Sequence, residues 1–133
     1  MQVIRRRVHE RGSVLNTKTF IGEVWQDLVM APTPDGTRAT NIFFAPGGRT
    51  LWHHHEGGQF LVVTAGSGLI GVRGEAPYVL EEGDYVWIPA GEEHWHGGSA
   101  ECYMSHLAIS FGESTYLEPI TDAEYAAAPR PRE

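Results

Sequence analysis

No stretch of these 133 residues approaches the ~20 consecutive apolar positions of a membrane span, and cysteine is represented by Cys102 alone. The first lack excludes a membrane-spanning helix within the sequence; the second excludes an intrachain disulfide and suits a reducing cytoplasm. Nothing around Cys102 marks an activated thiol, so it reads as a small buried apolar residue. Positive charge is also scarce: the formal net charge is −7, which argues against a nucleic-acid partner. The local exception, Arg5-Arg6-Arg7, would alternate between the two faces of an extended strand and reads as a solvated edge. The opening MQVIRRRVHE brings these arginines where an export signal would begin its apolar stretch, so a cytoplasmic location is expected. Good helical patterns are missing as well until Thr121 and Glu124, which form a capping box ahead of AEYAAA. Pro129 stops that short helix, and residues 127–133 are expected to fray.

What is present is strand spacing. Sixteen glycines and eight prolines separate runs rich in branched and aromatic residues, among them ATNIFF, QFLVVT, GLIGV, YVWIP and MSHLAI. Turn signals recur at PTPDG (32–36), APGG (45–48), EGG (56–58), AGSG (65–68), EEGD (81–84) and PAGEE (89–93). Short strands joined in this way form antiparallel hairpins, and closing them into a barrel removes exposed edges. The length suits one domain spanning residues 1–133, all-β with a short C-terminal helix.

Five of the seven histidines fall in two groups, His53-His54-His55 and His94-Trp95-His96. Residues two apart on a strand share a face, so His53 and His55 point together while His54 points away, and His94 pairs with His96. The turn Glu56-Gly57-Gly58 then returns the chain and brings Gln59 beside the first pair. With His94 entering from a second hairpin, His53, His55, Gln59 and His94 make a neutral donor set suited to one borderline divalent ion, with positions left for water or substrate. Any one of these histidines alone would read as a core or surface residue satisfied by hydrogen bonds. The spacing of the set favours a metal site. Glu56, Glu92 and Glu93, in turns, read as solvated.

Taken odd positions inward, the strand from Arg49 to His55 turns Arg49, Leu51, His53 and His55 into the barrel and leaves Thr50, Trp52 and His54 outside. Trp52 would serve outer packing or a subunit contact. Thr40, Ile42 and Phe44 from 38–44, Leu61, and Ala108 and Ser110 from 104–110 would line a mostly apolar pocket for a small organic molecule. His96 and His106 would stand near the metal without binding it, as proton carriers or as residues that orient a ligand.

The motifs G47-GRTLW-H53-H-H55-EGG-Q59-FLVVTA-G66 and G83-DYVWI-P89-A-G91-EE-H94-WHGG resemble, in order, the two motifs of the cupin superfamily. That resemblance implies a double-stranded β-helix, or jelly-roll, barrel. Two positions depart from the usual pattern: Gln59 replaces a glutamate and Gly98 an asparagine. The missing carboxylate leaves the ion's charge uncompensated and the site more Lewis-acidic. From Ile42 to Tyr125 the chain is also similar to small bacterial cupins that include manganese-dependent hydroxynitrile lyases. This implies a manganese ion ahead of iron or zinc, cleavage of a cyanohydrin to aldehyde and cyanide, and roles for His96 and His106. A metal-dependent dioxygenase or oxidase and a non-catalytic metabolite-binding barrel are the rival readings. A homodimer or a dimer of dimers is expected.

Overall fold

A computed structural model describes residues 1–5 and 13–131, so Arg6 and Arg7 of the basic run lie outside the described residues. The chain folds as two antiparallel sheets curled over each other. The first contains β1 (Val14–Leu15), β3 (Val24–Met30), β4 (Arg38–Phe44), β11 (Met104–Ser110), the first half of β7 (Gln59–Val72) and β9 (Tyr85–Ile88). The second contains β2 (Phe20–Ile21), β5 (Arg49–Thr50), β10 (His94–Gly98), β6 (His53–His55), β12 (Ser114–Tyr116), the second half of β7 and β8 (Tyr78–Glu81). The helix α1 (Asp122–Ala126) carries the expected capping box between Thr121 and Glu124. Among the described residues no helix is long and apolar enough to cross a membrane.

Three expectations need correction. AGSG (65–68) is not a turn but the corner at which the single 14-residue strand β7 passes from one sheet to the other. Gly66 makes that bend at φ 76°, and a Cβ there would stand 2.1 Å from the Tyr103 carbonyl oxygen, so glycine is required twice over. The tail does not fray before Arg130. The Arg130 backbone N–H donates to the Pro77 carbonyl at 2.8 Å, and its guanidinium bonds Glu75 and lies 4.5 Å above the Tyr78 ring. Third, residues 49–55 are not one alternating strand: Leu51 and Trp52 leave the ladder, and the inward face shifts by one residue. Thr50 therefore faces the interior cavity, while Arg49 turns to the helix, with its guanidinium 4.0 Å above the Tyr125 ring and 3.3 Å from Asp122. Trp52 is buried on the outer side with Leu69, Trp95 and Ile120 beneath the C-terminal segment, which is the outer packing foreseen for it.

The main core lies between the sheets, where the period of two on each strand collects Val24, Ile42, Phe44, Leu61, Val63 and Met104. Fully burying such a side chain contributes roughly 1.5–3 kcal/mol. These residues give the histidine strands a rigid floor.

Candidate metal centre

Strands β6, β7 and β10 deliver the histidines and Gln59 to one end of the interior. Pairing of His94 with His53 across β10 and β6 sets their rings 4.2 Å apart, and His55 lies 5.0 Å from His53. His53, His94 and His96 each offer a ring nitrogen within 4.8 Å of the others, and all are buried. Three buried histidines are thus able to hold a metal ion. His96, which the sequence pattern kept apart from the ligands, belongs to this cluster.

Burial is the first cause that keeps the buried rings of His53, His55, His94, His96 and His106 neutral. His53 and His96 are held well below the ordinary 6.5, with repulsion from neighbouring histidines adding to desolvation. Burial takes His94 and His106 down to about 4, and His55 to about 3 with help from His94 and Arg38.

A neutral imidazole has one proton, and its position here follows from the partners. His53 Nδ1 donates to the Leu51 carbonyl at 2.8 Å, and His94 Nδ1 donates to the Glu92 carbonyl at 2.9 Å. Both rings therefore present a bare Nε2 lone pair. Gln59 Nε2 donates to Ser110 Oγ at 3.0 Å, which aims Oε1 at His94 Nε2, 3.1 Å away. Two acceptors face each other with no proton between them. A cation placed there removes the repulsion, so the residues fit a divalent metal. His55 extends the set: its Nδ1 meets Ser114 Oγ at 2.7 Å, and its Nε2 is buried without a hydrogen-bond partner. Neutral nitrogen and amide oxygen donors suit a borderline divalent ion. Glu56 and Glu92 are exposed and Glu93 pairs with Arg73 at 3.2 Å, as expected of turn carboxylates.

All of these donors but His94 open onto a cavity of about 490 Å³, lined by Thr40, Ile42, Ala108, Ser110, His53, His55, Gln59 and His96. Phe44 and Leu61, expected in its wall, instead lie in the core. Phe44 supports the site from behind, with its ring 5.8 Å from His96 and 5.2 Å from His106. His106 does not line the cavity. It is buried, and its Nε2 shares a 2.9 Å hydrogen bond with His96 Nδ1. Each ring keeps one outer nitrogen without a partner: Nε2 of His96 and Nδ1 of His106.

Thr50, Arg38 and Tyr116 also line the cavity, and sequence reasoning missed them. Arg38 was within reach, because it shares the alternating face of Thr40 and Ile42. Thr50 was hidden by the break after it. Tyr116, whose ring stacks on His53 at 5.6 Å, arrives from β12, which no local pattern joins to the histidines.

The Cupin domain family matches residues 42–109. An (R)-mandelonitrile lyase of Granulicella tundricola is 41% identical over 111 residues, which are 80% of this chain and 85% of that protein. Among solved structures, a cupin-like protein of Thermotoga maritima superposes with a TM-score of 0.81 at 36% identity, covering 90% of this chain and 95% of the other. A polyketide cyclase of Streptomyces resistomycificus superposes at 0.69 with 21% identity, covering 90% and 89%, and speaks for the barrel alone.

Proposed function

Because this chain belongs to the cupin family, we propose that its histidine-lined cavity is a metal-dependent lyase site that cleaves cyanohydrins to aldehyde and cyanide, as a hydroxynitrile lyase does. The observation that carries the reading is the neutral set of inward lone pairs, without a carboxylate, next to a buried histidine pair whose ring nitrogens lie 2.9 Å apart. The likeness to the (R)-mandelonitrile lyase, spanning most of both chains, supports the choice of reaction. Our proposed ligands are His53, His55, Gln59 and His94, with Mn2+ as the resident ion before Fe2+ or Zn2+. Bound there, a divalent ion supplies Lewis acidity that makes a nearby hydroxyl easier to deprotonate.

The remaining steps belong to side chains of the cavity. Thr40, Ile42 and Ala108 seat the organic part of the substrate against one wall and exclude water. His96 Nε2, unpartnered, takes the hydroxyl proton. As the oxygen forms its carbonyl bond, the bond to the nitrile carbon breaks and its electron pair leaves with cyanide. The positive charge gained by His96 is spread through its contact with His106, and the same proton then passes to cyanide, giving hydrogen cyanide and restoring the neutral pair. His106, which does not touch the cavity, is a positioning residue.

Metal-loaded protein incubated with (R)-mandelonitrile should release benzaldehyde, with or without dioxygen, and a His94→Ala variant should not. Equal benzaldehyde from the two proteins, or turnover only when oxygen is consumed, would overturn the assignment.

A further inference from the structure

Arg38, Ser110 and Gln59 form one rung across β4, β11 and β7. Two strand spacings, roughly 10 Å between Cα atoms, separate the first from the third, and all three line the same cavity. Arg38 is the single formally charged group among the described residues that line it, and no carboxylate joins it there. No described residue makes a salt bridge to it. A half-buried guanidinium facing neutral histidines in a chain of net charge −7 has an unmet electrostatic demand.

The fork is held in place by neutral oxygens. Nη1 donates to the Gly36 carbonyl at 3.4 Å and to the Gly112 carbonyl at 3.1 Å, and Nη2 donates to Ser114 Oγ. These bonds occupy three of the five N–H groups of a guanidinium and leave two for another acceptor. The turns that supply them meet closely: a Cβ on Gly36, at φ 85°, would lie 3.1 Å from Gly112 Cα. Ser114 also meets His55 Nδ1, so one hydroxyl links the guanidinium to the metal centre.

We propose that Arg38 is the anion-recognition residue of this cavity, receiving a small monoanion beside the metal: either a carboxylate on the substrate or the anion released from it. Its spare N–H groups and fixed charge match such a partner, which is held more strongly than a neutral analogue of the same shape. The inference deepens the lyase reading, whose released anion is one of the two candidates for this position. It is tested by binding alone, so loss of one reading leaves the other standing.

Titration calorimetry on the full chain, metal-loaded and again after chelation, would compare benzoate with its neutral isostere benzamide, and would measure thiocyanate as a stand-in for a departing linear anion. Benzoate, thiocyanate or both should bind about tenfold or more tighter to the wild type than to Arg38→Met, with Arg38→Lys between them and metal content unchanged. Benzamide should not distinguish the variants. The anion weakened more by Arg38→Met names the source. Anion affinities indifferent to Arg38 would overturn the proposal. Should Arg38→Met fail to fold, wild-type protein decides after chelation: benzoate preferred over benzamide sustains it, and equal binding refutes it.

Discussion

His96 Nδ1 and His106 Nε2 lie 2.9 Å apart, buried together, and one proton serves both nitrogens. If it sits on His96, His96 Nε2 faces the cavity as a base. If it sits on His106, His96 Nε2 carries the other proton and faces the cavity as an acid. The proposed reaction asks one ring first to accept a proton and later to return it, and such a ring gains from a partner that permits both states.

His106→Ala should therefore leave metal content unchanged while kcat for mandelonitrile falls by about tenfold to a hundredfold, less than the ~10²–10⁴-fold that a proton-transferring side chain itself contributes. His106→Gln, which keeps a donor near the position of Nε2, should recover part of the loss, and the kcat/KM profile against pH should move in the alanine variant. A purely packing role for His106 predicts the same loss from both substitutions and an unmoved profile.

Gln59→Glu places a carboxylate oxygen where Oε1 now faces His94, and Ser110 is able to donate to it in return. The variant should retain its metal about tenfold or more longer against a chelator, because an anionic oxygen attracts a dication more strongly than an amide does. The same charge weakens the ion's pull on a bound hydroxyl, so turnover should fall. Competition with a fluorescent chelator and a mandelonitrile assay measure the two effects. Faster metal loss from Gln59→Glu would show that Gln59 is not a ligand.

Acid should unfold the metal-stripped protein through its histidines. Above pH 6.5 the rings are neutral in both the folded and the unfolded chain, so their contribution to stability is complete. As pH falls below 6.5 the unfolded chain takes up protons that the buried rings refuse, until His94 and His106 titrate at about 4 and His55 at about 3. Stability is thus lost on acidification, and each such histidine multiplies the unfolding equilibrium by about ten per pH unit. Urea midpoints of chelated protein should drop steeply between pH 6.5 and 5, and His106→Gln should flatten the slope by about one proton. A midpoint constant over that interval would contradict the burial assigned to these rings.

The all-β class, the capping box at Thr121 and Glu124, and the convergence of His53, Gln59 and His94 were all legible in one dimension, because each rests on a local rule: strand alternation, cap geometry, or a glycine turn that folds a strand back on its predecessor. Packing between strands distant in sequence decided the rest. The break at Leu51 and Trp52 moved Thr50 inward and Arg49 outward; the Gly66 corner merged two expected strands into one. Ser114 and Tyr116 reached the histidines from β12, and His106 was set behind His96 rather than in the cavity wall. A sequence pattern states which side of its own strand a residue takes, whereas the neighbour it meets there depends on how the sheets curl and where their registers slip.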